Sequence, residues 1–292
     1  MNGLFLLNKS PEMSSFLACN VLRGVLGIKK AGHAGTLDPM ATGVLPVLCG
    51  NATRALDLLP VHDKRYTATF RLGYTSPTLD VWGEVSPTGQ PLPPLAAIEA
   101  ALPAFRGDIW QVPPMMSAIQ KDGVRLYALA RQGIEVEREA RPVTVYRLEL
   151  LDYDPATGEL TLDCACSKGT YIRTIGDDLG RMLGCGAVMT ALCRTEAAGF
   201  SLTDCVTLDE VRAMTAEQRA ARLLPTDELF ATWPTLTVSA AQATRFANGG
   251  ALARNRLKKT VDTPVRVYAP DGRFLGLAEP KDADLKILKL FP

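Results

Sequence analysis

Fifteen residues from Gly32 to Pro46, GHAGTLDPMATGVLP, constrain this chain more than any other stretch. They hold one His, one Asp and three glycines, then run into Val44, Leu45, Val47 and Leu48, an apolar segment that reads as a buried strand. Asp38 stands in the middle, directly before Pro39, whose ring biases the preceding residue toward an extended backbone. A carboxylate on a stiff loop at the mouth of a strand suits a reaction centre. Composition alone favours a plainer reading, a surface turn, because Gly, Asp and Pro are ordinary turn formers.

With 292 residues the chain can bury a large core, and one big domain plus a small one is expected. Hydrophobic content of 47% and charged content of 22% are ordinary for a folded soluble protein. No run approaches the length of a membrane span, and the N-terminus lacks the basic start and longer apolar core of a signal peptide. Seven scattered cysteines fit free thiols in a reducing cytoplasm, so a cytoplasmic protein is expected. The only histidines are His33 and His62, and the sequence has neither a metal-ligand cluster nor a Gly-rich phosphate loop. The net charge of +1 hides an asymmetry: from Trp233 onward ten Lys or Arg face five Asp or Glu, while the remainder is mildly acidic. A basic tail on an acidic body suggests a local polyanion contact.

Along the chain, Leu4 to Leu7 reads as a strand, and Ser14 as the cap of a helix burying Leu17, Val21, Val25 and Ile28. Ala52 to Leu59 reads as a short helix. Tyr66, Ala68, Phe70, Leu72 and Tyr74 alternate with Thr67, Thr69 and Arg71, the period of a strand. Tyr66 is then simply the first aromatic of a core face. Strands are expected over 143–151 and 160–166, with Cys164 and Cys166 on one apolar face. Ile172, Ile175, Leu179 and Leu183 mark a helix starting near Thr170. Arg173 lies in its first turn, where the helix dipole disfavours a cation, so a partner elsewhere is expected, whether functional or a buried salt bridge. Thr207 and Glu210 form a capping box for a helix through Leu224, and Ser239 and Gln242 form another. Val265–Tyr268 and 274–278 bracket the turn Pro270–Arg273 as a hairpin.

Several of these stretches resemble one family. The motif G-H-x-G-x-L-D-P-x-A-T-G-x-L of the TruB pseudouridine synthases stands complete as Gly32, His33, Gly35, Leu37, Asp38, Pro39, Ala41, Thr42, Gly43 and Leu45. Lys64–Tyr74, with Thr78 and Asp80 beyond it, is similar to the second family motif. Val112–Tyr127 is similar to a third stretch, Gly169–Arg173 to G-x-Y-[IV]-R, and Ala191–Phe200 to L-x-R-T-x-x-G-x-F. At the first turn the family carries K-P-x-G-x-[ST]-S. Lys9, Ser14 and Ser15 are kept here, but Ser10 replaces Pro and Glu12 replaces Gly.

The resemblance implies an α+β fold, a pseudouridine synthase catalytic domain on a mixed, mostly antiparallel sheet flanked by helices, over residues 1–232. A thumb over about 106–141, with cations at Lys121, Arg125, Arg131, Arg138 and Arg141, would clamp RNA. Residues 233–292 would form a small β-rich, PUA-like RNA-binding domain. The implied reaction turns uridine 55 in the T-arm of tRNA into pseudouridine, without cofactor or metal, in a monomer. Asp38 would be the catalytic carboxylate and Arg173 its partner. Tyr66 would stack on the flipped base, Tyr171 and Leu192 would line the pocket, and His33 would wedge where the base has left. Lys9, Gly35, Thr42 and Gly43 would support the site. A tRNA-binding folding helper and a guide-RNA-dependent synthase stay open as alternatives.

Overall fold

The computed structural model describes residues 1–291. In chain order the elements that position the site are β1 (Gly3–Lys9), α1 (Ser15–Val25), β2 (Ala31–His33), β3 (Thr42–Cys49) and β4 (Lys64–Leu72). Next come α2 (Leu95–Ala101), β5 (Gly107–Gln111), β6 (Arg141–Asp154), β7 (Glu159–Cys166), α3 (Ile172–Met182) and β8 (Ala187–Ala197). Then follow α4 (Leu208–Ala213), α5 (Ala216–Ala221), β9 (Thr235–Thr237), α6 (Ala240–Ala247), β10 (Leu252–Ala253), β11 (Val265–Tyr268), β12 (Phe274–Lys281) and β13 (Asp284–Leu290). The fold is α+β, on mixed sheets, as expected. The chain forms two compact units: residues 1–38, 44–61 and 198–292 make the first, and residues 39–43 and 62–197 the second.

The second unit is built on the antiparallel order β8-β4-β7-β6-β5. Alternation sets the register: Ala68, Phe70 and Leu72 of β4 point to one buried face with Leu160, Leu162, Cys164 and Cys166 of β7. Both cysteines are about 1% exposed, as their alternation predicts. α3 covers this sheet with Ile172, Ile175 and Leu179, the stripe read from sequence. Gly176 is its contact point, since a Cβ there would stand 2.1 Å from the Phe70 ring. The first two residues of β3, Thr42 and Gly43, lie parallel to β8 at Cys193 and Arg194.

The first unit holds β1 with its parallel partner Val206–Thr207, and β2 antiparallel to β3. α1 begins at Ser14, whose hydroxyl accepts from the Leu17 amide at 3.1 Å. The buried face of α1 differs from the sequence expectation. Ser15, Ala18, Cys19 and Leu22 face inward, whereas Leu17 is 48% exposed and Val21, Val25 and Ile28 only flank the core. The helix is rotated because Ser15 has work inside, described below. The helix expected from Thr207 to Leu224 is also two helices. After α4 a second capping box, Thr215 with Gln218, starts α5. In the same unit β9-β11-β12-β13-β10 form a five-stranded sheet around Phe246, Val267, Leu275 and Leu285. Leu277 and Phe274 of that sheet join Leu4, Leu48, Ala55 and Phe230 in a further core.

At the first turn Lys9 is wholly buried, and its ammonium donates to the carbonyls of Ser10 at 2.9 Å and Met13 at 2.8 Å. Those two bonds hold the turn in the shape that places Glu12 at φ 62°. A side chain in this left-handed conformation costs about 1–2 kcal/mol, against the smaller flexibility cost of glycine. Glu12→Gly is therefore expected to raise stability by about 0.5–1 kcal/mol. A urea midpoint that falls, with an unchanged slope, would contradict this.

Candidate active site

In the first unit the Asp38 loop is fixed one residue upstream. The Ser15 hydroxyl, about 1% exposed, accepts from the Leu37 amide at 2.8 Å and donates to the Leu37 carbonyl at 3.1 Å. One side chain thus satisfies both polar groups of the residue before Asp38, and Leu37 itself is buried. Asp38 is half-exposed. Gly35 takes φ 85°, a left-handed position that needs no Cβ. His33 ends β2 opposite Val47, also half-exposed. Ser15→Ala would leave a buried amide and carbonyl unsatisfied, at a cost of about 1–3 kcal/mol. Its kcat is expected to fall about tenfold with KM little changed, as for a loop that wanders from a productive geometry. A rise in KM alone, with kcat intact, would contradict that assignment.

In the second unit Tyr66 sits on β4 between Cys164 of β7 and Arg194 of β8, with 7% of its surface exposed. Leu192 lies on β8 beside Ala68, 8% exposed, and its carbonyl receives the Thr42 hydroxyl at 3.5 Å. Gly43 takes φ 104° and presses on β8 so closely that a Cβ would stand 2.2 Å from the Arg194 carbonyl oxygen. The Thr-Gly pair therefore serves as a backbone joint against β8, which no larger residue at 43 could make.

Arg173 is 5% exposed in the first turn of α3, at the unfavourable end of the helix dipole. Its guanidinium donates to the Thr78 carbonyl at 3.1 Å and to the Met116 carbonyl at 2.8 Å. Asp80, also buried, places a carboxylate oxygen 3.6 Å away. The other oxygen of Asp80 accepts from the Thr78 hydroxyl at 2.7 Å and the Trp82 amide at 3.1 Å. Two chain segments, one with Thr78 and Asp80 and one with Met116, thus converge on one planar cation, a geometry suited to a fixed guanidinium rather than a mobile one.

Tyr171, half-exposed, precedes α3 and is held by a residue the sequence did not mark. Gln111 at the end of β5, 2% exposed, accepts from the Tyr171 amide at 2.7 Å and donates to its carbonyl at 3.0 Å. Its partner lies sixty residues away, so no local pattern could announce it. Among the described residues no group of three or more His, Cys, Asp or Glu could hold a metal ion, and no helix is long and apolar enough to cross a membrane.

The second unit thus carries the nearly buried Tyr66 and Leu192 on its sheet and the buried Arg173 guanidinium on the helix that covers that sheet. The chain superposes on a Cbf5-Nop10-Gar1 complex with a TM-score of 0.74 at 23% identity, covering 99% of this chain and 85% of that one. A structure of an H/ACA RNP bound to a substrate RNA containing 2′-deoxyuridine gives 0.73 at 21% identity, covering 99% and 85%. Residues 23–172 match the N-terminal domain of the TruB family pseudouridylate synthases. Residues 173–231 match the tRNA pseudouridylate synthase B C-terminal domain, and residues 233–292 the C-terminal domain of tRNA pseudouridine synthase II. A protein of Pseudomonas fluorescens named tRNA pseudouridine synthase B is 45% identical over 287 residues, 96% of this chain and 92% of its own length. One of Neisseria meningitidis with the same name is 43% identical over 279 residues, 96% of this chain and 90% of its own. This chain belongs to the TruB family and is a pseudouridine synthase.

Proposed function

We propose that this chain isomerises uridine 55 in the T-arm of tRNA to pseudouridine, unaided by a guide RNA. The observation that carries the reading is the complete Gly32–Leu45 motif in a chain 43–45% identical, almost end to end, to proteins named tRNA pseudouridine synthase B. The reaction breaks the C1′–N1 bond, turns the freed uracil and joins C5 to C1′, so it needs no electrons and no phosphate chemistry. Asp38 supplies the essential carboxylate, as a nucleophile or as the charge that stabilises a cationic ribose. Arg173 favours the ionised form of that carboxylate. Tyr66 stacks on the extruded base, which offsets part of the few kcal/mol spent on flipping it out. Tyr171 and Leu192 keep water from the uracil while it rotates, and His33 fills the place the base vacates. Lys9, Gly35, Thr42 and Gly43 hold the frame.

In the same reading residues 1–232 are the catalytic domain, 106–141 its RNA-clamping thumb and 233–292 a PUA-like RNA-binding domain, in a monomer. The basic balance of 233–292 supports an RNA contact there. The test is to incubate the purified chain alone with an unmodified tRNA transcript and map pseudouridine. Product confined to position 55 is expected. Product only after adding a guide RNA would favour a guide-dependent synthase, and tRNA binding without product a folding helper.

A further inference from the structure

The end of the sheet where β4 begins, between β7 and β8, gathers several basic side chains. His62 and Asp63 lead into β4, and Lys64 donates from its ammonium to the His62 carbonyl at 2.7 Å. The β4–β7 ladder ends at Lys64 opposite Cys166, so the antiparallel register carries Lys168, just past the end of β7, toward His62. His62 and Lys168 are exposed, whereas Lys64 is half-buried. Burial lowers the Lys64 pKa, and the charges of Arg194 and Lys168 lower it further. The His62 pKa is lowered by burial and then by Lys168 and Lys64. Lys64 and Lys168 repel one another and together disfavour a charge on His62.

Among the neighbouring acids, Asp63 offsets one of the two lysine charges while accepting the Tyr146 hydroxyl at 3.2 Å. Asp163 and Glu196 belong to the other face of β4, where Arg65 and Arg147 occupy them. A cluster of like charge held together by the backbone is stabilised by an anion placed among its members. Lys64 and Tyr66 are two residues apart on one strand, so their side chains leave the same face about 7 Å from each other. That is the span from a nucleobase to its own phosphodiester.

We propose that His62, Lys64 and Lys168 form a binding site for one RNA phosphodiester, the linkage flanking the nucleotide whose base stacks on Tyr66. The site rests on the proposed reading that Tyr66 receives the target base. Its role is to pin the backbone of the flipped nucleotide while the base turns. Phosphate contacts fix register and carry no sequence information, so the site contributes affinity and position rather than choice of uridine. Lys168, exposed in the turn after β7, is free to swing onto the linkage, while Lys64 provides the fixed point.

The test uses a T-arm stem-loop RNA and the full chain, as wild type, Lys64→Gln and Lys168→Gln, with thermal melting to confirm that each is folded. Each variant is expected to bind about tenfold more weakly at moderate salt and to reduce the slope of log affinity against log salt by about one. The stem-loop is then made with a neutral methylphosphonate at each linkage flanking the target uridine in turn. At one linkage the neutral group costs wild type about tenfold or more, and costs Lys64→Gln and Lys168→Gln less than that, because each has already lost one cation there. Losses that add at every flanking linkage, or variants that bind like wild type, overturn the site. Pseudouridine formation by wild type on the unmodified stem-loop is measured in parallel, so failure of the underlying reading registers separately as absence of product.

Discussion

Arg173→Met is expected to destabilise the fold by about 3–5 kcal/mol and to lower turnover a hundredfold or more. The carbonyls of Thr78 and Met116 lose their donors, and the buried Asp80 loses a cation 3.6 Å away. An uncompensated buried charge is the costly part of breaking such a pair. Removing that charge should therefore rescue stability: Arg173→Met with Asp80→Asn should be milder than the two single effects summed, by about 1–3 kcal/mol. The side-chain amide oxygen introduced by Asp80→Asn would still accept from the Trp82 amide, which isolates the electrostatic contribution. Arg173→Lys keeps the charge but not the planar fork, so it should retain most of the stability and little of the activity. Urea melts and single-turnover assays on the single and double variants check both halves. Strictly additive losses would contradict the coupling of Arg173 to Asp80.

Much of the fold was legible because burial follows period. The alternation from Tyr66 to Leu72 and the stripe Ile172, Ile175 and Leu179 mark a strand and a helix that the structure contains. The dipole conflict at Arg173 likewise pointed to partners elsewhere, and Thr78, Met116 and Asp80 are among them. Apolar spacing alone turns the wrong face of α1 inward, because it gives no weight to a serine. Ser15 turns inward to bind Leu37, and the helix rotates Leu17 into solvent to allow it. The break between α4 and α5 did have a signal, the Thr215–Gln218 capping pattern within TAEQ. Gln111 had none, since its bonds to Tyr171 depend on β5 and α3 meeting in space. Glu12 stands where the family carries glycine, and the turn takes the left-handed shape with the side chain present. Residues that hold other residues are the ones sequence pattern hides, because their partners are distant.

The proposed reaction depends on the charge of one carboxylate, and Asp38→Asn removes that charge while nearly keeping the side chain's size and shape. Ser15 grips Leu37 through backbone groups, so the loop should keep its shape in the variant. Binding of tRNA draws on a wide surface and should change by less than about threefold. In the proposed reaction nothing else supplies that negative charge, so the rate should fall by about a thousandfold or more. The direct measurement is pseudouridine formation in a single turnover, with enzyme in excess over an unmodified tRNA transcript, alongside the dissociation constant of the same preparation. The expected result is unchanged binding with no product above background. Product at a rate near wild type, or binding lost in step with activity, would contradict the role given to Asp38.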